Sequence, residues 1–450
     1  MNDLPKIGYL NLDIFCYDYR EGLGQRPEEL EANRSHFLNR LADAPLTSQQ
    51  TQELREREQS NNRFMPLLTA PYVQPLREPI DGYFYPVKLG DSYGLQINCA
   101  GYRNWQNRAC TPEDLKEIYR LLAERHRTPG QLGETWLVWG KLAEECREED
   151  LSKLAIELMR SLGRTVDSSW NKEGENQCFW QGATLFEFSE LPGQAHSIHQ
   201  QKPQVLICLF PHNVPDETVV QLVTTELYPN LMELCYYRSK ILWIYGETRK
   251  IKQSLKAQAP EVRSIVTATQ SSSLTLANTL DRLQENLEGG LTTYQKYAQW
   301  ISYLEEYRYA LQVNCDNYEK RFLRLLKSDA PQGGSFFLDF HDYITEQFIP
   351  QVTNDYNTLF ASLKLIDNQL KTTEGQIRLE QTRVESVQGE RDRNIENLIG
   401  AASVGLGVSS TAASAWAGQI PKPLYVFGFS LGLGIISAIL TYAIARWIRR

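Results

Sequence analysis

Polar and small residues recur every three or four positions in one late stretch of the chain: Asn394, Asn397, Gly400, Ser403, Gly407, Ser410 or Thr411, and Ser414. On a helix this spacing gathers amides, hydroxyls and bare backbone on one face. Such a face can line a watery pore, or it can let helices approach closely. Gly418 and Gln419 follow in a short loop, and Arg446, Arg449 and Arg450 form a basic collar further on. Catalytic chemistry is harder to assemble. There is no G-x-x-x-x-G-K-[ST], no G-x-G-x-x-G after a strand and no H-E-x-x-H, which argues against nucleotide-driven and zinc-hydrolase chemistry. His196 and His199 form an H-x-x-H, yet no cysteine or carboxylate accompanies them, so they read as loop histidines. Arg120 and His126 lie six apart, on different faces of a helix. No catalytic residue is assigned, no cofactor is expected, the metal question stays open, and the chain reads as a non-enzyme.

The element that must position the polar face is a long helix. Between 352 and 387, inward positions alternate in steps of four and three: Val352, Tyr356, Leu359, Leu363, Ile366, Leu370, Thr373, Ile377, Glu380, Val384 and Val387. This is a heptad seam, and five heptads make a rod of roughly 50 Å that needs helical partners or copies of itself. Residues 398–416 carry no charge but are built largely of Gly, Ala, Ser and Thr, a first membrane span of low hydropathy. Residues 424–445 are uncharged throughout, about 33 Å of helix, enough to cross a hydrocarbon core. The connection 417–423 is so short that the two spans form an antiparallel hairpin. Arginines at 391 and 393 and at 446, 449 and 450, against Lys422 alone in the loop, place both termini in the cytoplasm by the positive-inside rule.

A stalk helix running into a first span, a very short loop, a second span and a terminal basic aromatic cluster, here Arg446-Trp447-Ile448-Arg449-Arg450, together resemble the CorA family of divalent-cation channels. The likeness covers roughly the last hundred residues in detail and the rest in layout. It implies a homo-oligomer of five copies in an inner membrane, gated by a head that takes a small molecule or cation. The family's Gly-Met-Asn after the first span is absent; Gly418-Gln419 stands nearest. Weak selectivity is therefore expected.

Composition bounds the rest. A net charge of -8 argues against nucleic acid as partner. Eight cysteines without a C-x-x-C pair fit free thiols better than a disulfide framework or a zinc site. No secretory leader is read in the first residues. Strand patterns at 7–17, 83–87, 93–100, 135–138, 184–188 and 205–210 interleave with helical patterns at 28–41, 48–58, 112–125 and 148–163. From 216 the chain is helical, with an interruption at Pro229, a stop at Gly289-Gly290, and a second seam from Tyr294 to Leu325.

The fold class is thus α+β: an α/β cytosolic head (1–215), a helical bundle (216–350), a coiled-coil stalk (351–397) and a transmembrane hairpin (398–450). Three functions compete. They are a weakly selective CorA-like channel gated by its head, a pore-forming effector of a bacterial defence system, and a non-conducting membrane-anchored scaffold.

Overall fold

The computed structural model describes residues 5–22, 25–105, 108–166, 170, 176–189, 203–267, 276–326 and 336–385. The chain divides into two compact units, one of Met1–Gly246 with Leu311–Phe348, the other of Glu247–Ala310 with Ile349–Arg450.

The first unit is built on a nine-stranded mixed sheet. Its strands are β1 (Ile7–Tyr19), β2 (Phe64–Pro66), β3 (Gln74–Pro75), β4 (Ile80–Leu89), β5 (Ser92–Tyr102), β6 (Gly133–Leu142), β7 (Gln177–Trp180), β8 (Ala183–Phe188) and β9 (Gln204–Phe210). Their order is β2-β4-β5-β1-β6-β9-β8-β7, with β3 on β4. Among the described residues every pairing is antiparallel except β6 with β9. β1 therefore has strands on both flanks, and its residues alternate between two covered faces. Leu10, Leu12, Ile14 and Cys16 join one core with Phe37 and Leu41 around α1 (Pro27–Asn39) and with Leu115, Ile118, Leu154 and Leu158 of α3 (Pro112–Ala123) and α4 (Glu148–Ser161). α2 (Ser48–Glu58) adds Leu54 to it.

The odd residues of β1 meet a different helix. After α5 (Asp216–Leu222) and one wide turn, α6 (Tyr228–Ala257) begins. Phe15 packs edge-on against Tyr228, Tyr17 at a tilt against Tyr236 and Tyr19 edge-on against Trp243, with centroids 6.4, 5.7 and 5.0 Å apart. Each such pair is worth about 0.5–1.5 kcal/mol beyond simple burial. Prolines explain the wide turns: a π turn at Val223–Leu227 precedes Pro229, and another at Ile344–Phe348 precedes Pro350. A proline ring clashes with the preceding turn and donates no N–H, and the widened turn gives it room.

In the second unit, α7 (Ala259–Thr267), the first part of α8 (Leu276–Leu326), and α10 (Ile349–Glu385) pack together; α9 (Phe336–Tyr343) belongs to the first unit. Arg308 lies over the Tyr356 ring, Tyr297 bonds Ser362, Tyr294 feels Asp367, and Gly290 abuts Leu370. The α8 number falls as the α10 number rises, so the two helices run antiparallel. The heptad seam of α10 is thereby filled from within the chain: Val352, Leu363, Ile366, Leu370, Thr373 and Ile377 are all buried. The expected stop at Gly289-Gly290 is corrected, since α8 continues through both. Gly290 is there for closeness, because a Cβ would lie 2.6 Å from the Leu370 side chain, whereas nothing lies within 4 Å of one at Gly289. Gly289→Ala should therefore stabilise the protein by about 0.5–1 kcal/mol through helix propensity. Gly290→Val should destabilise it by about 1–3 kcal/mol through overpacking. Urea melts of the two variants check this pair of opposite signs.

The transmembrane hairpin of the expected fold class, and with it the inner-membrane location, requires correction. Among the described residues no helix is long and apolar enough to cross a membrane. α8 and α10 have the length, at 51 and 37 residues, but not the apolarity. Charges such as Lys364, Asp367, Lys371, Glu374 and Arg378 recur along α10. Residues 398–416 and 424–445, which carried the expectation, lie outside the described residues.

Candidate functional site

A layer of buried polar side chains separates the sheet from α6. Asp13, at the middle of β1, is fully buried, and its carboxylate accepts four hydrogen bonds. Gln96 Nε2 and Asn98 Nδ2 of β5 donate to Oδ1 at 2.8 and 2.9 Å. Tyr228 Oη and Trp139 Nε1 donate to Oδ2 at 2.9 and 3.1 Å. The strand register explains the convergence: Asn98 is the partner of Asp13 across β1 and β5, and Trp139 lies diagonally across β6. Tyr228 arrives as the first residue of α6.

All four donors are neutral. Burial pushes the Asp13 carboxyl up from 3.8 to about 6, and the four hydrogen bonds only partly oppose that shift. The ionisable groups facing it are the hydroxyls of Tyr83 and Tyr228, both held neutral by burial beside the acid. The Cys99 thiol, also raised by burial, feels the same charge more weakly.

A second acid sits further along this face. Glu187 of β8 is buried, accepts from Gln204 Nε2 at 2.5 Å and lies 3.8 Å from the Arg238 guanidinium of α6. Burial outweighs Arg238 and raises the Glu187 carboxyl. Arg238 in turn stacks on the Phe340 ring at 4.4 Å. Lys240 and Tyr236 bond Asp91 in the β4–β5 turn, and Tyr17 Oη donates to the Met232 carbonyl at 2.9 Å. α6 is thus seated on the sheet by directional polar contacts as well as by aromatic packing.

On the opposite face of β1, Cys16, Glu134 and His126 come together. Cys16 and Glu134 are cross-strand partners. His126 follows α3, its amide donating to the Leu122 carbonyl at 2.7 Å. The loop between His126 and Glu134 is clamped to the end of β1. Arg40 donates to both oxygens of Asp18 and to the carbonyls of Thr128 and Pro129, and the Gln131 amide donates to Asp18 Oδ1 at 3.0 Å. Gly130 passes so close to the Tyr17 backbone that no side chain fits there.

The expected functional residues fare differently. Asn394, Asn397, Gly400, Ser403, Gly407, Ser410, Thr411, Ser414, Gly418, Gln419, Arg446, Arg449 and Arg450 all lie outside the described residues, as do His196 and His199. Arg120 and His126 part company, Arg120 pairing with Glu117 on the surface while His126 turns inward to Glu134. None of the eight cysteines is bridged. Asp13 and the Cys16 cluster were missed; the one signal for Asp13 was a lone acid among apolar neighbours in a strand. Open concavities among the described residues include two that are not lined by Asp13, Cys16, His126 or Glu134. One of about 320 Å³ in the second unit is lined in part by Glu261, Glu285, Asn286 and Thr293. The other is formed by Asp43, Arg77, Glu124, Arg125 and Arg127. No family model, curated protein or solved structure matches this chain, so nothing ties it to the CorA family.

Proposed function

We propose that this chain is a non-enzymatic, acid-responsive coupling protein, in which the sheet takes up a proton at Asp13 and α6 carries the consequence onward. One observation supports this above all: the carboxylate that titrates near 6 is the acceptor for the first residue of α6. That helix then runs unbroken to Ala257, its residues from Glu247 onward belonging to the second unit. There, Arg249 and Lys252 both pair with Asp355 of α10, at 2.7 and 2.6 Å.

The chemistry of the switch follows from donor counting. An ionised Asp13 accepts from four donors; a protonated one has turned one oxygen into a donor and must find an acceptor. Amide and indole N–H groups cannot accept. The Tyr228 hydroxyl, which already accepts from the Trp139 indole at 2.8 Å, can, as can a flipped amide oxygen of Gln96 or Asn98, so protonation rearranges the bonds that hold the start of α6. The proton thus takes the place of the small molecule or cation expected on the head. The channel and pore readings rested on a membrane hairpin that no described helix supplies. Assembly into several copies, by five or otherwise, lacks the open α10 seam that suggested it.

Hydrogen exchange of the full chain across Tyr228–Ala257 at pH 5 and pH 7, each corrected for intrinsic exchange, tests the reading. Protection in this helix should change several-fold between the two pH values in the wild type and stay level in Asp13→Asn. An equal response in both proteins would refute it.

A further inference from the structure

The Cys16, His126 and Glu134 cluster plays no part in the acid response, and its composition is that of a metal site. Each residue can offer one ligand atom, and the three atoms lie within 4.8 Å of one another. Cys16 is fully buried, and the side chains of His126 and Glu134 are each 8% exposed. Glu134 holds the imidazole in place: its Oε2 is 2.6 Å from His126 Nε2, and its Oε1 accepts from the Trp136 indole at 3.1 Å. The other ring nitrogen, Nδ1, is buried without a hydrogen-bond partner. With Nε2 donating to the carboxylate, a neutral imidazole leaves a lone pair on Nδ1, and a buried orphan of this kind calls for an explanation. A carboxylate on the far nitrogen is how metal-bound histidines are commonly oriented.

Charge balance agrees. Asp18 and Arg40 beside the cluster offset each other. A Cys16 thiolate and the Glu134 carboxylate would then neutralise one dication. Sulfur and nitrogen donors select a borderline ion of the zinc class, whereas magnesium and calcium prefer all-oxygen sites. We propose that this cluster binds one zinc-class divalent ion through the Cys16 thiolate and a His126 ring nitrogen, with Glu134 as the carboxylate of the site. On binding, the thiol proton passes to solvent. A metal here would join β1, β6 and the end of α3, which the sequence keeps more than a hundred residues apart from Cys16.

The test uses the full chain, stripped with chelator and titrated with cobalt(II). One equivalent should bind with a thiolate-to-cobalt charge-transfer band. The band should vanish in Cys16→Ser and persist in Cys178→Ser, a buried thiol elsewhere. Glu134→Gln should weaken binding by roughly 10–100-fold, the usual effect of losing an orienting carboxylate. Because Cys16→Ser lies in the core and could unfold the protein, X-ray absorption of the zinc-loaded wild type supplies an independent reading. One sulfur at about 2.3 Å is expected there. No uptake, a shell of nitrogen and oxygen only, or a band unchanged in a folded Cys16→Ser would each overturn the proposal.

Discussion

Between pH 4 and pH 7, wild type should lose about 3 kcal/mol of stability relative to Asp13→Asn. The sign follows from burial. The Asp13 carboxyl titrates at about 6 in the folded protein against 3.8 ordinarily, so the folded state binds its proton more tightly than the unfolded chain does. That stabilisation is complete below the ordinary value and is lost as pH rises through about 6. Two pH units at about 1.36 kcal/mol each give the magnitude. Asparagine does not titrate. It carries a pH-independent penalty on the order of 1–3 kcal/mol, because its amide N–H₂ confronts donors that the carboxylate accepted. Glu187, also raised, is present in both proteins and cancels from the difference. Urea denaturation at pH 4, 5, 6 and 7 measures the two curves. Parallel curves would show that Asp13 is solvated and that the proposed switch has no driving force.

The Arg40→Ala variant should lose about 3–5 kcal/mol, the range for stripping a partner from a buried ion pair. Asp18 is fully buried and the Arg40 side chain is 6% exposed, so the abandoned carboxylate has no water to turn to. Two carbonyls, of Thr128 and Pro129, lose their donor at the same time. The double variant Asp18→Asn with Arg40→Met should recover much of the loss, because it leaves no unpaired charge inside. The loop this pair clamps also carries His126 toward Glu134, so Arg40→Ala should weaken cobalt binding as well. Chemical denaturation of wild type and these two variants checks the energetics. A loss below about 1 kcal/mol for Arg40→Ala would mean the pair behaves as a surface one.

Local pattern carried the elements far. The strand at the start of the chain, the hairpin around Gly90, the proline-led helix after Thr111 and the buried face of α8 from Tyr297 to Leu325 all follow from period-2 or heptad spacing and from turn and capping chemistry. Such signals depend on neighbours within a few positions, which is why they survive without tertiary information. Gly289-Gly290 misled for the same reason: two glycines weaken an isolated helix, but Leu370, eighty positions away, supplies the packing that makes one of them necessary.

What the sequence by itself determined was a sheet-bearing first region, a run of long amphipathic helices after Pro215, and a seam on α10 that had to be covered. Only the tertiary structure decided what covers it, namely α7 and α8 of the same chain, with α8 running antiparallel. It also decided which polar residues lie inside. Asp13, Gln96, Asn98, Trp139 and Tyr228 form one network, and Cys16, His126 and Glu134 another, only because strand register and chain crossings bring distant positions to one face. The shift of a buried acid depends on the absence of water around it, and that is a property of three-dimensional packing that no local spacing encodes.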